Sequence, residues 1–181
     1  MSTATQAGLF LLDTLLGFFS VALLLRFFMQ AFRVSFANQV GAFVVQLTNW
    51  LVKPLRRILP GLFGLDLASL LPVYVAQVLL MLALVASRGG FDLVPLESIV
   101  ALALWQGLLA TLRLCLYLLI GALIVQAVLS WVAPYSPLAQ PLNQLTRPFL
   151  APVRRVVPPI AGIDLSPLVV LLLLQLVLFF L

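Results

Sequence analysis

Thr48 to Leu67 reads TNWLVKPLRRILPGLFGLDL, and ninety-eight positions later Thr146 to Leu165 reads TRPFLAPVRRVVPPIAGIDL. In that ungapped register Thr48 meets Thr146, Pro54 meets Pro152, Arg56-Arg57 meets Arg154-Arg155, Pro60 meets Pro158, Gly64 meets Gly162 and Asp66 meets Asp164. The match continues outward to Gln46 with Gln144 and Gln77 with Gln175. Apolar sequence aligns by chance on Leu and Val but not on a run of Pro, Arg, Arg, Pro, Gly and Asp. The chain therefore reads as an internal duplication, and whatever fold one half adopts the other must repeat.

What flanks the repeated block fixes the solvent. The chain is 64% hydrophobic and 8% charged, where a soluble domain carries roughly 25% charged residues. Such a composition belongs in a bilayer. The net charge of +5 fits basic residues in short loops, which set membrane orientation and meet anionic headgroups. It forms no basic block interleaved with exposed aromatics, so nucleic acid is not an expected partner.

Along the chain, Gly8 to Phe32 is long enough to cross the hydrocarbon, with Asp13 and Arg26 near its two ends. The opening residues lack the basic n-region of a signal peptide, and the stretch is expected to be a retained span. Polar residues then return at helical spacing: Gln46, Asn49, Lys53, Arg56 and Arg57 on one face, with Val44, Leu47, Leu51, Leu55 and Ile58 on the other. This pattern predicts an interfacial amphipathic segment, broken in two at Pro54. A turn at Pro60, Gly61 and Gly64 leads into a second span, about 67–86, with Asp66 or Ser69 placed to satisfy its first amides. Ser87 to Pro95 is the boundary between halves, giving repeats at 1–90 and 91–181.

The next apolar run is too long for one straight span. Shifting by one hundred positions puts Arg113 on Asp13 and Gln126 on Arg26, which defines a span at about 114–133. The extra stretch, Glu97 to Leu112, is either an interfacial lead-in helix or a long tilted extension; the first is favoured, with Arg113 at headgroup depth. The second amphipathic segment holds Pro137, Pro141, Pro148 and Pro152, so short helical pieces are expected. Ser166 and Pro167 then open a last, short span at about 167–181. The expected fold is an all-α polytopic membrane protein of two tandem parallel repeats, each of two spans bridged by an interfacial segment. Because the positive excess falls in both bridging segments, these are expected on the cytoplasmic side, with both termini outside.

An apolar span followed by P-x-R-R-x-x-P-x-x-x-G-x-D and a second apolar span resembles the YGGT repeat of the YggT family of small bacterial membrane proteins, which has relatives in chloroplasts. The second copy, PVRRVVPPIAGIDLSP, carries the full pattern; the first differs in having Gly61 for Pro159 and Ala68-Ser69 for Ser166-Pro167. Leu129-Ser130-Trp131 resembles a further element of the family. The resemblance implies a bacterial inner-membrane protein and roles in cytochrome-complex assembly, division-site or nucleoid organisation, or osmotic and potassium homeostasis.

For catalysis the inventory is poor. There is no His, Cys115 stands alone, and the five carboxylates are dispersed, so no catalytic residue, metal site or cofactor is expected. Gly89-Gly90 lacks the Lys and Ser/Thr of a phosphate-binding loop. Candidate docking residues are Lys53, Arg56, Arg57, Arg147, Arg154 and Arg155, facing anionic headgroups, partner membrane proteins or a second copy of the chain. Since each Arg pair precedes an Asp, Arg56 or Arg57 with Asp66, and Arg154 or Arg155 with Asp164, form an expected structural lock. The intramembrane polar residues Arg26, Gln77, Gln126 and Gln175 either bond between spans or line a polar path for an ion. Asp13 and Arg113 either pair or rest as separate interfacial charges. The leading expectation is a non-enzymatic scaffold or assembly factor; its rival is an oligomeric ion or osmolyte conduit.

Overall fold

The computed structural model describes residues 3–59, 61, 65–92, 94–133, 135–157 and 164–181. Its elements are α1 (Thr3–Ala31), α2 (Gln39–Ile58), α3 (Leu67–Ser87), a 3-10 turn (Gly90–Asp92), α4 (Leu96–Val132), α5 (Ala139–Val156) and α6 (Ser166–Phe180). Pro60 and Gly64 of the expected first turn, and their counterparts Pro158 and Gly162, lie outside the described residues. α1, α3 and α4 are long and apolar enough to cross a membrane, while α6 has 15 residues. Within each repeat the three helices pack on one another, α1 with α2 and α3, α4 with α5 and α6, and the repeats join through α3 and α1 against α4.

The bilayer explains why the core is thin. Phe10, Leu15, Val21, Leu79, Val128 and Leu172 are all exposed, as helices facing lipid tails can be, and the buried residues lie along seams between helices. One seam joins Leu23 and Leu24 of α1, Val52 of α2 and Ala68 and Val73 of α3; its copy joins Leu123, Leu150 and Val170. A third runs between the repeats, with Phe27, Phe28 and Met29 of α1 against Leu119, Ala122 and Leu145.

Three expectations are corrected. First, α2 and α5 are each one helix despite Pro54, Pro148 and Pro152 inside them. Each proline deletes one backbone donor and frees the carbonyl four residues earlier, on Trp50, Gln144 and Pro148. Those residues and all three prolines are exposed, so water or headgroups can satisfy the freed carbonyls, and the buried stripe of Val44, Thr48 and Val52, or Thr146 and Leu150, holds the helix on the bundle. Pro54→Ala, which restores one donor, is expected to stabilise the detergent-solubilised protein by about 1 kcal/mol, read as a raised thermal midpoint; a lowered one would show that the ring itself packs against something.

Second, 97–112 is not a separate interfacial helix. α4 runs unbroken for 37 residues, about 56 Å at 1.5 Å per residue, with no proline inside it. Its first part packs along α3, where Gly107 lies against Val78 and the Tyr74 hydroxyl donates to the Leu104 carbonyl at 3.2 Å. A helix held in place by a neighbour has no reason to break.

Third, the pairing of Arg113 with Asp13 is not formed. The Arg113 Nη2 donates to the Leu181 carbonyl at 2.5 Å, placing a cation where the α6 carbonyls end and the helix dipole favours it. Asp13 is exposed and shares no described contact with Arg113.

Candidate functional site

Each amphipathic helix ends on two consecutive arginines, and residues one apart on a helix point about 100° away from each other. One arginine of each pair turns back to the start of the following helix and the other turns out. In the first repeat Arg56 turns back. Its Nε donates to Asp66 Oδ1 at 3.2 Å, and its Nη2 donates to Asp66 Oδ2 at 2.5 Å and to Gln30 Oε1 at 2.6 Å. The Ser69 hydroxyl donates to Asp66 Oδ2 at 2.7 Å, so the carboxylate is spent on these groups and forms no side-chain cap to the α3 amides. Asp66 is only 3% exposed. Burial alone pushes its carboxyl up, but the hydrogen bonds from Arg56 and Ser69, with the charges of Arg56 and Arg26, outweigh that and hold it below the usual carboxylate range.

Behind this pair lies Arg26, buried in α1. Its Nη1 donates to Thr48 Oγ1 at 2.8 Å, and the Thr48 hydroxyl donates to the Val44 carbonyl at 2.6 Å. The Arg26 Nε has no partner among the described residues.

The second repeat builds the same junction with fewer groups. Arg154 meets Asp164, Nε to Oδ2 at 2.9 Å and Nη2 to Oδ2 at 2.8 Å, and Asp164 Oδ1 accepts from the Ser166 amide at 2.9 Å. The helix that Ser166 and Pro167 open is thus held at its start by Asp164. Burial pushes the Asp164 carboxyl up, and its contacts with Ser166 and Arg154 more than reverse that. Gln126 stands where Arg26 stood; its Nε2 donates to Asn143 Oδ1 at 2.6 Å, and the Thr146 hydroxyl lies within reach of both Gln126 Oε1 and the Leu142 carbonyl. Asp164 and Arg154 are 41% and 48% exposed.

The remaining basic candidates, Lys53, Arg57, Arg147 and Arg155, are exposed and have no ion-pair partner among the described residues. The four intramembrane polar candidates do not converge. Arg26 and Gln126 turn to Thr48 and Thr146, Gln77 is half-buried on α3, and Gln175 is exposed on α6. Thr48 and Thr146, fully buried, are the residues that sequence reasoning passed over. The signal was present, since an identical polar residue recurs in both copies, but helical periodicity alone assigned the buried stripe to Val and Leu. No group of His, Cys, Asp and Glu suited to a metal ion occurs among the described residues.

A family model described as CCB3/YggT matches residues 5–87 and 105–181. Those two segments fall on α1–α3 and on α4–α6, and the gap between them contains the start of α4. The chain is 40% identical over 169 residues to a Vibrio alginolyticus protein encoded in the proC 3′ region, covering 92% of this chain and 88% of that one. It is 39% identical over 177 residues to the Pseudomonas aeruginosa protein PA0392, covering 94% and 86% respectively. With the YggT protein of Escherichia coli K12 it shares 37% over 169 residues, covering 93% and 85%. No solved structure matches.

Proposed function

Because this chain belongs to the CCB3/YggT family, we propose that it is a non-enzymatic scaffold of the bacterial inner membrane, organising other membrane proteins through the outer faces of α2 and α5. The observation that carries this reading is the division of labour within each arginine pair. Arg56 and Arg154 bind the aspartates that open α3 and α6, while Arg57 and Arg155, with Lys53 and Arg147, stand exposed without an ion-pair partner among the described residues. Helices pinned by one face and cationic on the other are suited to anionic headgroups and to acidic surfaces of neighbouring proteins. In this reading α2 and α5 face the cytoplasm, following the positive excess, and a second copy of the chain is among the partners.

Photo-crosslinkers at positions 57 and 155 in native membranes should then capture a defined set of membrane proteins. Exchanging Lys53, Arg57, Arg147 and Arg155 for Gln should lower the anionic phospholipid retained on the purified protein by at least about fivefold, since each surface cation contributes roughly 1 kcal/mol. The reading fails if crosslinking yields lipid alone and the Gln variant retains lipid normally. Potassium flux through liposomes containing the pure protein would favour the conduit, for which the separate locations of Arg26, Gln77, Gln126 and Gln175 give no support.

A further inference from the structure

The duplication supplies an internal comparison. In the first junction two side chains fill the space beside the ion pair: Gln30, which accepts from Arg56, and Ser69, which donates to Asp66. At the corresponding positions of the second copy stand Ser130 and Pro167. Ser130 donates instead to the Ala127 carbonyl at 2.7 Å and proline has no side-chain donor, and a cavity of about 780 Å³ lies between α4, α5 and α6, within the size range of small-molecule sites. Asp66 is 3% exposed in the filled junction and Asp164 is 41% exposed in the open one.

The cavity has two ends of different chemistry. The Arg154–Asp164 pair lines it beside the start of α6, and Leu168 and Leu171 line it further along that helix. α6 begins beside Asp164, so Leu168 and Leu171 lie about 6 and 10 Å deeper along it at 1.5 Å per residue, the step from a headgroup through the glycerol esters to the first acyl carbons. The polar end carries one cation and one anion side by side. Arg154 is already compensated by Asp164, so a simple anion gains little there, while a head bearing both a phosphate and an ammonium can give each half of the pair a second partner.

We propose that this cavity binds a phospholipid with a zwitterionic amine headgroup of the phosphoethanolamine type, phosphate to Arg154 and ammonium to Asp164, with an acyl chain along Leu168 and Leu171. The ammonium has N–H donors to offer Asp164, which a quaternary choline head lacks. The site uses other side chains than the outer-face reading, so either can fail alone.

Trp131, 81% exposed and lining the cavity, is the reporter once Trp50 and Trp105 are changed to Phe. Reconstituted in phosphatidylcholine vesicles, the protein is mixed in turn with equal mole fractions of acyl-brominated phosphatidylethanolamine, phosphatidylglycerol or phosphatidylcholine. Quenching by the ethanolamine lipid should correspond to about fivefold local enrichment over the other two, the worth of one net hydrogen-bonded contact. Asp164→Asn should abolish the preference, and so should Ser130→Gln, which restores the filling residue of the first copy and leaves Arg154 and Asp164 themselves unchanged. Equal quenching by all three lipids, preference for phosphatidylglycerol, or a preference that survives Ser130→Gln overturns the proposal. If Asp164→Asn does not fold, Ser130→Gln decides alone.

Discussion

Asp66→Asn destabilises the detergent-solubilised protein by about 3 kcal/mol, and Asp164→Asn, the same change at the matching position, by less than about 1 kcal/mol. The two aspartates are equivalent in the sequence, so burial has to make the difference. Asp66 is 3% exposed, takes Arg56 and Ser69, and is the anion nearest to buried Arg26. Removing its charge leaves buried Arg26 without the anion that compensates it and facing Arg56, which is itself 42% exposed; the uncompensated buried cation is what makes the loss costly. Asp164 and Arg154 are both nearly half exposed, and water and salt replace much of what the pair gives.

The pH dependence follows from the same contacts. The Asp66 carboxyl is held below its ordinary value in the folded protein, so its stabilisation is fully present above the unfolded value of about 3.9 and is lost as pH falls through the folded value. The gap between native protein and Asp66→Asn is therefore widest at neutral pH and closes on acidification below about pH 4. Thermal melts of the three proteins from neutral to acid pH check this. Asp164→Asn matching Asp66→Asn, or a gap that grows in acid, would refute it.

Gly107→Leu separates α3 from α4 and costs about 3 kcal/mol, while Gly121→Leu on the same helix changes stability by less than about 0.5 kcal/mol. A Cβ on Gly107 would come within 2.6 Å of Val78 Cγ2 and, less forgivingly, 3.2 and 3.3 Å from the Val78 backbone N and Cα. The methyl can turn away; the backbone can move only by shifting a helix. Lipid tails are as apolar as the side chains they would replace, so contacts between spans depend on close approach at small residues. At Gly121 a Cβ would meet nothing within 4 Å. Cysteine pairs across the α3–α4 seam should lose crosslinking efficiency in the Gly107 variant alone. Equal effects at both glycines would mean that the helices are not held together there.

Periodicity and the repeated block were sufficient to locate apolar helices at α1, α3 and α6, the helices α2 and α5 between them, and the Arg-Arg to Asp spacing at both junctions. These are local properties: apolar run length, helical spacing, and a ten-residue separation that brings the end of one helix near the start of the next. The reading of Glu97 to Leu112 failed because an apolar helix looks the same in sequence whether it floats at an interface or packs along a neighbour. The prolines misled for a related reason, since the cost of a lost donor depends on whether the freed carbonyl faces solvent, which no residue string records.

In the end the sequence by itself determined that two similar units lie in a membrane and that each ends its amphipathic helix on paired arginines. Only the tertiary structure decided which arginine of each pair turns inward, that Thr48 and Thr146 sit beneath Arg26 and Gln126, and that one junction is filled while its copy stands open. Sequence carries spacing along the chain, and spacing is shared by both copies. Burial depends on what other helices bring to the same point, and there Asp66 lies 3% exposed while Asp164, in the same motif, is 41% exposed.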